Sequence, residues 1–188
     1  MSSTPPIDAP DTGEHRHARS LVLVNTGDGK GKTTAAMGLA LRALARDWGV
    51  LVVQFVKSGE WRAGEHEMLE RLGADWLAVG DGFSWDSDDL EVSAELAREA
   101  WRTASAAVAA GEHEVVILDE FTYPVNWGWV PLEDALAALS SRPPHVNVLV
   151  TGRDAPAALV ELADTVTNMA NVKHAFDDGV LARRGIDF

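Results

Sequence analysis

The run Thr26-Gly27-Asp28-Gly29-Lys30-Gly31-Lys32-Thr33-Thr34 has the residue types and the order that grip a phosphate chain. Its glycines let backbone N–H groups converge on phosphate oxygens, and a helix starting at Lys32 would add its dipole. Lys32 would reach a phosphate, and the Thr33 hydroxyl would sit on Mg²⁺. The fit to G-x-x-x-x-G-K-[ST] is shifted, because Thr26 holds the place of the first glycine and Gly27 follows it. A plain glycine turn between a strand and a helix would show fewer of these features together.

Two further stretches carry compatible chemistry. Val115-Val116-Ile117-Leu118-Asp119-Glu120 delivers two carboxylates to the end of an aliphatic strand, where one of them can hold Mg²⁺ directly or through water. Spacing alone does not choose between Asp119 and Glu120, and a solvated acidic strand end would look the same. Val148-Leu149-Val150-Thr151-Gly152-Arg153 ends another strand on an arginine whose planar fork suits phosphate oxygens. A surface salt bridge explains a lone arginine equally well. Gln54 and Lys57, at the end of Val53-Gln54-Phe55-Val56-Lys57, either line the same crevice or are solvated.

The elements needed to position these groups are readable from the hydrophobic pattern. Aliphatic runs fall at 21–24, 50–56, 75–79, 115–118, 146–150 and 165–169. Helical patterns lie between them at 32–46, 65–72, 89–110, 131–140 and 156–163. Such alternation predicts an α/β domain with a mostly parallel sheet covered on both faces. Residues 1–19, Pro-containing and polar, read as a disordered tail, leaving 20–188 as the single domain. The loop Gly80-Asp81-Gly82-Phe83-Ser84-Trp85-Asp86-Ser87-Asp88 sets two bulky aromatics among turn residues. They either meet a flat ligand or fold back onto the core.

Composition removes several classes of function. The formal net charge of -13 argues against a nucleic-acid partner. An anionic nucleotide then needs a local basic pocket, for which Lys30, Lys32, Arg42 and Arg153 are the candidates. With no cysteine there are no disulfides, thiolate metal sites or thiol nucleophiles, which fits a cytoplasmic location. The six histidines are scattered, so a zinc site is not expected; His174 reads as a hydrogen-bonded structural residue. No run approaches the roughly 18 apolar residues of a membrane span, and the N-terminus is not a secretory signal.

Taken in order, these motifs resemble the P-loop corrinoid adenosyltransferases over residues 21–188. The specific part of the match is Gly82-Phe83-Ser84-Trp85 together with the C-terminal Val172-Lys173-His174-Ala175-Phe176-Asp177 and Gly185-Ile186-Asp187-Phe188. The shortened glycine loop fits that family too. The resemblance implies a P-loop NTPase-like (RecA-like) fold and a reaction in which a corrinoid Co(I) attacks the ribose 5′-carbon of ATP. The tripolyphosphate would leave from a nucleotide bound in the reverse of the usual sense. It implies nucleotide contacts from Gly27, Asp28, Gly29, Lys30, Gly31, Lys32, Thr33, Thr34, Arg42 and Arg153. Mg²⁺ would lie on Thr33 and Glu120, and Phe83 and Trp85 would press on the corrinoid's lower face. It also implies a homodimer supplied with electrons by a flavoprotein reductase. Two departures stand out. Asp28 and Ser84 replace the family's usual Asn and Thr, and the short Pro-rich start lacks the basic helix that closes over substrates in many members.

Two other readings compete. A P-loop kinase or NTPase acting at the γ-phosphate would need a water- or hydroxyl-orienting carboxylate and usually a basic lid. A nucleotide-gated corrinoid-binding protein would bind both ligands without turnover.

Overall fold

The computed structural model describes residues 19–56, 64–79 and 90–187. Six parallel strands form one sheet: β1 (Val22–Thr26), β2 (Val50–Phe55), β3 (Asp75–Val79), β4 (Val115–Asp119), β5 (Asn147–Thr151) and β6 (Thr165–Asn168). The helices are α1 (Lys32–Leu44), α2 (Gly64–Arg71), α3 (Leu90–Ala110), α4 (Thr122–Asn126), α5 (Leu132–Ser140) and α6 (Ala157–Leu162). A 3₁₀ turn follows at Ala175–Asp178.

The spatial order is β3-β2-β4-β5-β1-β6. β5 therefore separates the strand that feeds the glycine loop from the strand that ends in Asp119. The central strands are buried along their whole length because helices cover both faces. On one face α1 and α2 pack Ala36, Met37, Ala40 and Leu69 against Val50, Val52, Ile117 and Leu149. On the other, α3, α5 and α6 pack Trp101, Ala104, Leu139 and Leu159 against Val53, Leu118, Val148 and Val150.

The expected parallel sheet with helices on both faces is present, and β6 stands at its edge: all four of its residues are exposed, and among the described residues it pairs with β1 alone. Two elements were also missing from the sequence reading. α4 is too short to show a helical period, and the 3₁₀ turn depends on a local cap, the Phe176 N–H donating to His174 Nδ1 at 3.1 Å. Pro131 and Pro156 stand at the N-caps of α5 and α6, where a missing N–H costs nothing.

Phe121 closes the core beneath the end of β4. Its ring lies 4.9 Å from Phe55 and 4.8 Å from Trp101, fully buried. Phe121→Ala is expected to lower the unfolding free energy by about 3–5 kcal/mol, read as a shifted urea midpoint with an unchanged m-value.

Candidate active site

The site is assembled at the C-terminal ends of β1, β4 and β5, as expected for a ligand crevice in a parallel α/β sheet. Gly31 is the N-cap of α1 and offers no side-chain oxygen to the first-turn N–H groups. No acidic residue lies in that turn. Those N–H groups therefore remain available to an anion.

Behind the loop runs the chain leaving β6. The Gly29 N–H donates to Met169 O at 2.6 Å, and the Met169 N–H donates to Thr26 O at 2.8 Å. A Cβ on Gly29 would stand 2.6 Å from the carbonyl oxygens of Met169 and Ala170, so this close backbone approach requires glycine. Lys32 is buried and its ammonium donates to Gly27 O and Gly29 O, both at 2.7 Å. Burial pushes its pKa below the ordinary lysine value of 10.5, against the opposing pull of Glu120.

Asp119 is fully buried and receives three side-chain donors. Thr33 Oγ1 lies 2.8 Å and Thr151 Oγ1 2.7 Å from its Oδ1, and Gln54 Nε2 lies 2.9 Å from its Oδ2. Gln54 thus neither lines the crevice nor is solvated: it is a buried support for the carboxylate. Glu120 follows with φ 59°, a left-handed conformation uncommon for a residue with a side chain. Its N–H donates to Thr151 Oγ1 at 2.9 Å. In the loop after β5, Asp154 carries the same kind of strain at φ 52°, while Gly152 takes φ 138°, a conformation open to glycine. A Cβ on Gly152 would collide with the Thr122 hydroxyl.

A cleft of about 300 Å³ lies over these groups, lined by Asp28, Gly29, Lys30, Lys32, Arg153 and the tail residues Asn171, His174, Phe176 and Asp177. The cations Lys30, Lys32 and Arg153 converge there in an otherwise acidic protein. Lys30 is also paired with Asp187 at 2.5 Å, which ties the C-terminal segment to the glycine loop. That contact, with help from the Arg183 N–H, holds the Asp187 carboxyl below its usual range.

The structure does not bring Arg42 to this cleft. Arg42 sits in the last turn of α1, roughly 15 Å along the axis from Lys32 at about 1.5 Å per residue. There it lines a separate apolar cleft with Arg46, Trp48, Leu21 and Asn147, at the opposite end of the sheet. Thr34 lies in the first turn of α1 and is exposed. Lys57, Phe83 and Trp85 lie outside the described residues. Sequence reading missed the parts played by Thr151, Thr122 and the 169–170 backbone. Only the Thr-Gly-Arg order hinted at the first, and nothing local marks the other two.

Among the described residues, no group of three or more His, Asp or Glu side chains is arranged to hold a metal ion. At the strand ends the Thr33 hydroxyl and the Asp119 carboxylate lie 2.8 Å apart, with the Glu120 carboxylate on the next residue of the chain. This set suits a hard cation that takes its remaining ligands from phosphate and water, as Mg²⁺ does. No helix among the described residues is long and apolar enough to cross a membrane.

Comparison with known proteins gives a consistent result. Residues 18–188 match the family model described as ATP:corrinoid adenosyltransferase BtuR/CobO/CobP. The chain is 44% identical over 170 residues to the corrinoid adenosyltransferase of Escherichia coli K12, covering 90% of this chain and 86% of that protein. It is 42% identical to the corrinoid adenosyltransferase CobA of Salmonella typhimurium, with the same coverage. It is 38% identical to the Pseudomonas aeruginosa protein of that description, over 92% and 86% of the two chains.

Lys32 supplies a test in solution. A lysine whose folded pKa lies below its unfolded one binds fewer protons when folded, so stability rises with pH between the two values. Without nucleotide, the protein should gain stability relative to Lys32→Met as pH is raised toward 10.5. Parallel urea titrations of the two proteins at several pH values would show a constant difference if burial did not act on this ammonium.

Proposed function

Since the chain belongs to the ATP:corrinoid adenosyltransferase family and performs ATP-dependent adenosylation of corrinoids, we propose a division of labour within its site. Residues 20–188 act as one adenosyltransferase domain, and the glycine-loop cleft holds ATP by the group that departs. The cobalt(I) electron pair attacks the ribose 5′-carbon. The C5′–O5′ bond breaks, tripolyphosphate leaves with that bond's electron pair, and the cobalt ends as an alkylated Co(III). The metal of the corrinoid is the nucleophile, so no protein base is required. The protein's part is alignment and the neutralisation of a polyanion.

The observation that carries this reading is the convergence of Lys30, Lys32 and Arg153 on one cleft, with Thr33, the neighbour of Lys32 in the chain, bonded to Asp119. Lys32 and the first-turn N–H groups of α1 take phosphate oxygens, and Arg153 clamps them from the end of β5. Thr33 and Glu120 hold Mg²⁺, with Asp119 orienting Thr33. The ion supplies positive charge to the departing oxygens. Asp28, Gly29 and Gly31 shape the loop. Arg42 is left out of this grip because of its place on α1.

The nucleotide lies in the reverse of the usual sense, because a triphosphate that departs from the glycine-loop cleft must leave the ribose 5′-carbon open to the corrinoid. Phe83 and Trp85 strip the lower axial ligand, which eases reduction of Co(II). A flavoprotein reductase delivers the electron, in the cytoplasm. A homodimer is supported by the tail, where Val172 is 92% and Phe176 69% exposed, apolar surface of the kind that partners cover.

The test is to mix the protein with ATP, Mg²⁺ and chemically reduced cob(I)alamin. A light-sensitive adenosyl product should appear in the absorbance spectrum, with tripolyphosphate as the phosphorus product. ADP and inorganic phosphate would instead identify transfer at the γ-phosphate. Lys32→Ala and Thr33→Ala should each lower kcat/KM by about 100-fold or more. Trp85→Ala should leave ATP affinity intact and impair turnover of Co(II) corrinoid with reductant; normal turnover would remove the aromatic loop from the mechanism.

A further inference from the structure

The cleft over the glycine loop has a second wall, made by the C-terminal tail. Two contacts hold the tail there. The Gly29 N–H donates to Met169 O, and Lys30 pairs with Asp187. Between these anchors the chain bends, with the Val172 N–H donating to Ala170 O at 3.1 Å, and enters the 3₁₀ turn Ala175–Asp178. Gly179 closes that turn in a left-handed conformation, φ 77°. Of the residues on this stretch, Asn171, His174, Phe176 and Asp177 line the cleft.

The two ring nitrogens of His174 have different fates. Nδ1 accepts the Phe176 N–H at 3.1 Å and so caps the turn. A nitrogen that accepts a backbone N–H carries no proton, which places the ring's own N–H on Nε2. Among the described residues Nε2 has no hydrogen-bond partner. The ring is half-buried, held by its cap on the wall of the cleft. A cap alone is served by Ser, Thr, Asp or Asn. What the imidazole adds is a donor across the ring from the capping atom.

The cleft has use for such a donor. Lys32 directs two of its ammonium protons at Gly27 O and Gly29 O, and Lys30 is engaged by Asp187. The carboxylates of Asp28 and Asp177 line the same walls. A polyanion therefore meets less free positive charge than the three cations suggest. At about 300 Å³ the cleft is at the lower end of small-ligand pockets, which run from roughly 300 to 1,000 Å³, so one ligand meets both walls. We propose that His174 donates its Nε2–H to the polyphosphate of ATP, making the tail a ligand-binding wall and one ring both the contact and the cap that fixes it. The proposal rests on the reading that the glycine-loop cleft holds ATP by its departing group. As the C5′–O5′ bond breaks, charge grows on the tripolyphosphate, and a donor already in place stabilises it without rearrangement.

Two substitutions separate the nitrogens. His174→Asn keeps an acceptor near the place of Nδ1, and with it the cap, but removes the Nε2 donor. His174→Gln carries an amide N–H toward the place of Nε2 and gives up the cap. Calorimetry with Mg²⁺ would titrate tripolyphosphate into the wild type and both variants, with urea unfolding run on each. His174→Asn should bind about tenfold more weakly at unchanged stability, the effect of losing one hydrogen bond to a charged group. His174→Gln should recover most of the affinity despite a lower urea midpoint. Wild-type affinity in His174→Asn would overturn the proposal and leave the nucleotide reading intact. A loss in His174→Gln as large as in His174→Asn would also overturn it, since the donor would then not be what matters. A wild type that takes up no tripolyphosphate would sink the nucleotide reading, and the proposal with it.

Discussion

One buried carboxylate organises the catalytic end of this molecule. Removing Asp119 from water is costly unless its oxygens are met by donors. They are met from three directions, by Thr33 at the head of α1, Thr151 on β5 and Gln54 on β2. Those bonds fix the helix that presents the glycine loop relative to the strands that present Glu120 and Arg153. The geometry of the glycine-loop cleft is therefore a property of the sheet as well as of the loop. A change at Gln54, which does not line the glycine-loop cleft, would be felt at Thr33 through Asp119.

The cations of the site work under a second constraint. The protein carries 29 acidic residues against 16 basic ones. Many of its arginines are committed elsewhere, as on α3, where Arg98 and Arg102 are paired with Glu91, Glu95 and Glu99. Those exposed pairs contribute little to stability. The cleft gathers Lys30, Lys32 and Arg153 from three positions in the chain, making a local positive field in an acidic surround. A polyanion is drawn to that spot and repelled from most other surfaces.

The glycine loop between β1 and α1, the acidic strand end and the parallel sheet were legible because each is written in contiguous residues with strong local chemistry. Gly27 to Thr34 need only their own order to be read, and β2 and β4 announce themselves as unbroken aliphatic runs. Legibility failed where the determinant is a contact between distant segments. Nothing near Thr122 says that its hydroxyl will hold the Arg153 carbonyl, and nothing near Gly29 names Met169 as its backing. Arg42, offered as a basic-pocket candidate and as a phosphate contact implied by the resemblance, stands in the last turn of α1, and its distance from the glycine loop is set by helical rise. β6 lies where its aliphatic run predicts, and its exposure follows from its place at the sheet edge beside β1, which hydrophobic pattern alone does not encode.

The left-handed backbone at Glu120 and Asp154 has an evolutionary corollary. Each of these residues would relax if replaced by glycine, yet each sits where the two chemistry-bearing loops turn over the sheet. Selection for heat resistance alone would favour such relaxation and, at Glu120, would erase a carboxylate in the process. If the carboxylate holds Mg²⁺ as proposed, durability and catalysis pull the same codon in opposite directions, and a lineage that keeps the acid there accepts a less robust protein in exchange for its chemistry.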